Sequence, residues 1–117
     1  MPHRPKILII ENDDFLREIL GNLLHKAGYY ILSDFCIEHI LKEHDYHNIS
    51  LVILGTSCKK FEGKKTIHYL QKILGQNIKY YIINNTEKRL NFIPKEQQIL
   101  TSELSIQKIL SDVKNMI

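Results

Sequence analysis

Three short apolar runs, in which polar and apolar side chains do not alternate, constrain the fold of this chain most strongly. They occupy residues 7–10, 51–54 and 80–83. A strand with one face in water would alternate, so unbroken runs of this length are typical of strands covered on both faces, as in a parallel sheet. Weaker runs at residues 29–32 and 98–101 predict two more strands.

Between these runs, apolar residues recur every three or four positions, which is the period of a helix with one buried face. Such patterns predict helices at residues 16–27, 37–43, 67–74 and 106–117. Gly28 and Gly75 stand where helix-ending glycines are expected, and Ser105 is expected to cap the last helix. Residues 84–97 contain Pro94 and few apolar residues at helical spacing, so we expect a loop or a single turn there.

Alternating strands and helices predict one doubly wound α/β domain, which suits a chain of 117 residues with 44% hydrophobic residues. We assign residues 1–6 to a polar leader and 7–117 to the domain. The formal charge of +3 is too small for a dedicated nucleic-acid binder, so nucleic acid is not expected as a partner. Two cysteines, no signal peptide and no membrane-spanning run predict a cytoplasmic protein without membrane contacts.

Three segments resemble the receiver domain of bacterial two-component response regulators. Residues 7–17 are similar to the family's first strand and acidic turn, residues 51–63 to its third strand and the start of its third helix, and residues 100–105 to the turn into its last helix. The resemblance covers nearly the whole chain. It implies a flavodoxin-like, five-stranded parallel sheet in the order 2-1-3-4-5, with the fourth helix short or missing here.

The positions that carry the family's phosphotransfer chemistry depart from its pattern. Gly55 stands where the resemblance places the phosphoryl-accepting aspartate. The acidic pair corresponds to Glu11 and Asn12, the hydroxyl that ends the fourth strand to Asn84, and the lysine that ends the fifth strand to Ser102. The family's proline and aromatic switch residue fall on Glu103 and Ile99.

These losses are chemically consistent with one another. A phosphoryl-accepting site holds Mg²⁺ with carboxylates and offsets the charge of the transferred group with the metal and a lysine. A lysine left in a pocket without those carboxylates would be desolvated and unpaired. The loss of the carboxylates together with the lysine therefore brings the net charge of the pocket back towards zero. We therefore expect no catalytic residue, no enzymatic activity and no cofactor. Glu11 is the one weak candidate for a metal ligand, and Mg²⁺ is not expected.

The leading interpretation is a phosphorylation-independent pseudo-receiver that acts through protein contacts. The resemblance implies a contact face on the last helix and fifth strand, used by a homodimer or by a partner signalling protein. We expect this face to include Ile99, Glu103, Leu104, Ile106, Lys108 and Ile109. The last helix ends the printed sequence, so we expect no output domain within it, and a longer regulator would place one after that helix.

Three alternatives stay open from the residues alone. Asp13 or Asp14 could accept a phosphoryl group in place of position 55, although aspartate at the start of a helix also acts as a cap. Cys58 follows the third strand beside two lysines, which would favour a thiolate and a redox sensor, unless the residue is simply packed in a loop. A basic cluster could bind an anion or nucleotide, or could be a solvated face; it comprises Lys59, Lys60, Lys64 and Lys65.

Overall fold

The computed structural model describes residues 4–42 and 46–117 of the chain. Strands and helices alternate throughout: β1 Lys6–Ile10, α1 Asp14–Lys26, β2 Tyr30–Asp34, α2 Ile37–Lys42, β3 Leu51–Gly55, α3 Lys64–Leu74, β4 Lys79–Asn84, β5 Gln98–Leu100 and α4 Ile106–Met116. Two 3₁₀ turns flank β5, at Lys95–Gln97 and Thr101–Glu103. No helix in the described residues is long and apolar enough to cross a bilayer.

All five strands are parallel and lie in the order β2-β1-β3-β4-β5. This confirms the predicted fold class and strand order. The order of strands reverses between β1 and β3, so their carboxyl ends form the crevice in which doubly wound folds bind ligands. Several boundaries shift by one to three residues from the sequence prediction. For example, β1 already begins at Lys6, the last residue of the predicted leader, which pairs with Tyr30, and β2 extends to Asp34.

Alternate residues of the central strands face two separate apolar layers. On one face, Leu8, Val52 and Ile82 pack with side chains from α2 and α3. On the other face, Ile7, Ile53 and Tyr81 pack with α1 and α4. Because β1, β3 and β4 are covered on both sides, their sequences are apolar without alternation, which is the signal that predicted them.

Two buried amide side chains hold the connection between β4 and β5. Asn84 donates to the carbonyl oxygen of Lys88 over 2.7 Å, and its own oxygen accepts from the backbone N–H of Thr86 over 2.9 Å. Gln98 accepts from the N–H of Leu90 over 2.8 Å and donates to the carbonyl oxygens of Leu90 and Ile93. Residues 85–97 are all described and form no α-helix, which confirms the expected loss of the fourth helix.

The side-chain amides of Asn84 and Gln98 satisfy backbone groups that a crossover helix would satisfy with its own hydrogen bonds. A buried backbone polar group needs a partner, and a segment without regular structure must find it in side chains. The sequence indicated the missing helix from Pro94 and the polar composition. It did not indicate that Gln98, apparently an ordinary strand residue, satisfies three backbone groups of that segment.

Replacing Gln98 by alanine should therefore destabilise the domain by about 2 kcal/mol or more, because buried backbone groups lose their partners. Urea unfolding followed by circular dichroism would measure the change. Gln97→Ala is the matched control, since Gln97 is adjacent but its side chain makes none of these bonds. Equal effects of the two substitutions would contradict the role given to Gln98.

Candidate functional site

The crevice at the carboxyl ends of β1 and β3 brings Glu11 next to Gly55. Ile10 pairs with Leu54 in neighbouring strands, so the residue that follows β1 and the residue that ends β3 meet at the same edge. The parallel register places them there directly. Glu11 and Gly55 are the two sequence-predicted site residues that the structure brings into contact.

The side chain of Glu11 is folded into the protein instead of pointing to solvent. The residue is 2% exposed. Its Oε2 atom accepts hydrogen bonds from the hydroxyl of Ser57 and from the backbone N–H of Asp13, both over 2.9 Å. Its backbone oxygen accepts from the guanidinium of Arg17 over 2.7 Å. A buried carboxylate requires such donors, and here the adjoining turns supply them.

The carboxylate of Glu11 fills the space into which a side chain at position 55 would project. A Cβ atom added to Gly55 would lie 2.3 Å from Oε1 and 2.8 Å from Cδ of Glu11. Gly55 does not have a positive φ, so its backbone conformation would accept other residues. A Cβ at this position would therefore require the end of the Glu11 side chain, which Ser57 and Asp13 hold, to move.

The remaining residues of the acidic turn are exposed or make other contacts. Asn12 is exposed, and Asp13 accepts from the N–H of Leu16 over 2.9 Å as the N-cap of α1, which confirms the capping interpretation. Asp14 forms an ion pair with Arg17 on the helix surface. Within the described part of the chain, no three His, Cys, Asp or Glu residues could together hold a metal ion.

This set of donors does not fit the Mg²⁺ ion that the fold family implies. Mg²⁺ prefers octahedral coordination by oxygen ligands, usually with carboxylates. Here the buried carboxylate of Glu11 is engaged by Ser57 and Asp13, and position 55 offers no oxygen because the residue is glycine.

Among the described residues, neither Asn84 nor Ser102 forms a hydrogen bond with Glu11. Asn84 is buried and holds the β4–β5 connection, as described above. Ser102 is exposed in the 3₁₀ turn after β5. The neighbouring Glu103 accepts two hydrogen bonds from Arg89 over 2.9 and 3.2 Å, so an ion pair joins this turn to the β4–β5 connection.

Sequence reasoning missed the two hydroxyl residues that follow β3. Ser57 binds Glu11, whereas Thr56 donates to the side-chain oxygen of Asn85 and accepts from its N–H over 3.0 Å. The loops after β3 and β4 are thus joined by side-chain bonds. The available signal was the adjacent pair of hydroxyl residues directly after Gly55.

Cys58 is buried, which argues against the redox-sensor interpretation. Burial, followed by the negative charge of Glu11, raises the pKa of the thiol to about 11. The sulfur lies 3.7 Å from the carbonyl oxygen of Ile10. Adjacent lysines in sequence predicted a thiolate, but the side chain turns into the layer of α2 and α3 and meets a carboxylate instead.

The basic cluster lies on the surface. Lys59, Lys60, Lys64 and Lys65 are all exposed, and Lys60 is 3.4 Å from the carboxylate of Glu38. Exposed charges of this kind interact weakly and are screened by salt. Binding of an anion or nucleotide by the whole cluster stays a prediction.

The predicted contact face needs correction at two positions. Ile99 is 0% exposed and Ile109 is 5% exposed, so neither can touch a partner while the domain is folded. Ile99 faces the layer of α1 and α4, and Ile109 lies on the inner side of α4 with Val113. The exposed part of this face consists of Glu103, Ile106 and Lys108, with Leu104 half-buried.

Solved structures similar to this chain include response-regulator receivers. A response regulator from Thermotoga maritima has a TM-score of 0.71 and 16% identity, covering 98% of this chain and 98% of that chain. A receiver domain protein from Clostridium thermocellum has a TM-score of 0.76 and 17% identity, covering 97% and 94%. The signal receiver domain of an HD domain-containing protein from Pseudomonas fluorescens has a TM-score of 0.78 and 15% identity, covering 97% and 94%.

This chain has the receiver fold. Neither a protein-family model nor a curated protein matches its sequence. At these identities the likeness concerns the backbone, and function must be argued from the site. In this chain, the carboxylate of Glu11 occupies the space into which a side chain at position 55 would project.

Gly55→Ala should destabilise the domain by about 1–3 kcal/mol, because the added methyl group overlaps the Glu11 carboxylate. In the Glu11→Ala background the same substitution should cost much less, and a double-mutant cycle by urea unfolding would measure that coupling. Gly21→Ala is the control, since its Cβ would be 3.9 Å from the nearest side chain and alanine favours the helix. Equal costs of Gly55→Ala in both backgrounds would place the strain in the backbone.

Cys58 should resist modification in the folded protein. A pKa raised to about 11 lowers the thiolate fraction at pH 8 by about a hundredfold relative to a thiol of ordinary pKa. In a Cys36→Ser variant, labelling by a thiol-reactive disulfide reagent should be at least that much slower in the folded chain than in guanidinium. Cys58→Ser, which leaves the half-buried Cys36, is the control. Equal rates for the folded and unfolded chain would restore the redox interpretation.

Proposed function

We propose that this chain is a pseudo-receiver that acts in bacterial two-component signalling without being phosphorylated, through contacts with other proteins. One observation carries the proposal: the carboxylate of Glu11 fills the space of the acceptor side chain, and the acceptor position itself is glycine. The similar solved structures, which are named as response regulators and receiver domains, support the signalling context, and the chemistry of the crevice supports the absence of phosphorylation.

The crevice is unsuited to phosphoryl transfer for electrostatic reasons. The transferred group carries negative charge on its equatorial oxygens, and catalysis consists mainly of positioning and of offsetting that charge. Here the crevice already contains a buried carboxylate held by Ser57 and Asp13. The position of the family's lysine is occupied by Ser102, which is exposed. An incoming phosphoryl group would meet a like charge without the usual cation.

The contact face that we propose is the start of α4 with the turn before it. Ile106 is 59% exposed, and Lys108 and Glu103 beside it are charged and exposed. An exposed large apolar side chain surrounded by charges is the composition of a protein contact with a polar rim. A second copy of the chain and a different signalling protein are both candidates for this face.

We also propose a cytoplasmic location. Cys36 and Cys58 are both free thiols in the structure. Free cysteines are ordinary in a reducing compartment, whereas secreted domains of this size commonly pair them.

Phosphodonor treatment tests the first part of the proposal. Incubation with acetyl phosphate and Mg²⁺ should add no phosphoryl group by intact mass, and beryllofluoride with Mg²⁺ should leave the amide NMR signals of Glu11, Gly55 and Ser102 unchanged. Saturable shifts at these residues, or a stable mass increase, would overturn the phosphorylation-independent reading. A mass increase that disappears in Asp13→Asn with Asp14→Asn would assign the acceptor to that turn.

The contact face is tested with a charge placed at its apolar centre. Ile106→Asp should reduce binding of the partner recovered by affinity capture, or should abolish self-association in sedimentation experiments if the partner is a second copy. Ile73→Asp is the matched control, since Ile73 is also an exposed isoleucine on a helix but lies on α3. Equal loss in both variants would argue against a contact at α4.

A further inference from the structure

The crossover between β4 and β5 leaves a groove on the layer formed by α2 and α3. In a doubly wound sheet, the crossover helix after β4 would pack against the flank of α3. Residues 85–97, all described, contain no α-helix, and a groove of about 290 Å³ lies between α3 and residues 92–97. This groove is separate from the Glu11 crevice and from α4, which lies on the other layer.

The groove combines an apolar floor with donors at its rim. Its apolar side chains come from α3, from the start of β4 and from the β4–β5 connection; they include Ile67, Ile78, Phe92 and Ile93. Lys64 and His68 lie on the side of α3 that lines it, and both are exposed. Among the described residues that line the groove, none is acidic.

Tyr80 gives independent evidence that a buried polar group beside the groove lacks a hydrogen-bond partner. It lines the groove and is 4% exposed, and its hydroxyl oxygen has no hydrogen-bond partner among the described residues. Buried hydroxyl groups are nearly always paired, so an unpaired one beside a cavity calls for an explanation. Because this oxygen is itself buried, an occupant of the groove would pair with it only after the side chains that cover it shift.

Charge distinguishes between the possible occupants. In the described part of the chain, α1 and α2 carry equal numbers of acidic and basic residues, whereas α3 and α4 are net positive. A second copy therefore has no acidic helix among these with which to complement the basic rim. Complementary charge across an interface is the usual arrangement, since like charges brought together are unfavourable.

We propose that this groove binds an acidic amphipathic helix of a partner protein, which takes the place of the crossover helix that this chain lacks. Apolar side chains of that helix contact Ile78 and Phe92, and its carboxylates face Lys64 and His68. A groove that binds a helix in this way recognises apolar side chains spaced by about one helical turn. The proposal rests on the proposed function only in that the domain acts by protein contact, and it adds a second surface and the chemistry of its partner.

The test uses the whole chain, labelled with ¹⁵N, and a synthetic helical peptide of about 15 residues, a length at which isolated helices become appreciable. The peptide carries leucine at i, i+3, i+4 and i+7 with glutamate on its flanks. Two matched peptides replace the glutamates by lysine or the leucines by serine. The expected result is saturable amide shifts in residues 64–71 and 92–97 with the first peptide and none with the other two.

Variants then locate the site. Lys64→Glu with His68→Glu should weaken binding about tenfold, because two favourable contacts become repulsive, and Phe92→Ser should weaken it independently of charge. Lys114→Glu on α4 is the control for general electrostatic attraction and should leave the affinity within about twofold. Ile106→Asp should also leave peptide binding unchanged, so that failure of this proposal and failure of the α4 contact face remain distinguishable.

Several results would overturn the proposal. These are the absence of saturable shifts at millimolar acidic peptide, equal binding of the lysine peptide, and equal weakening by Lys114→Glu. Concentration-dependent shifts of the same amides without peptide would assign the groove to a second copy instead.

Discussion

The carboxylate of Glu11 is the constraint around which the carboxyl edge of the sheet is arranged. A buried carboxylate must be given hydrogen-bond donors, and the two turns that follow β1 and β3 provide them through Asp13 and Ser57. The same side chain leaves no room for a Cβ at position 55. One buried group therefore fills the space beside Gly55, binds the serine hydroxyl and sets the chemical character of the crevice.

The second determining feature is the replacement of helical hydrogen bonds by side-chain amides in the β4–β5 connection. Asn84 and Gln98 satisfy backbone groups that a crossover helix would have satisfied internally. Thr56 and Asn85 join this connection to the loop after β3. Side-chain hydrogen bonds thereby hold the loops around the crevice. The flank of α3 is left with the groove that we propose as the binding site of a partner helix.

Fold and chemistry separate clearly in this protein. At 15–17% identity, the solved receivers share the path of the backbone with this chain. That path is dictated by apolar strands and helical stripes, which tolerate many substitutions. The crevice depends instead on a few polar side chains, so Gly55 and the inward-turned Glu11 determine its chemistry without altering the fold.

The sequence by itself determined the class of fold, the missing fourth helix and the cap at Ser105, because strand runs, helical periods and capping residues act within a few positions of the chain. Only the tertiary structure decided that Glu11 occupies the space above Gly55, that Cys58 turns inwards, and that Ile99 and Ile109 are buried. These outcomes depend on which face each side chain presents and on atoms more than forty positions away in the sequence, such as Glu11 beside Ser57. Local patterns carry no information about such distances.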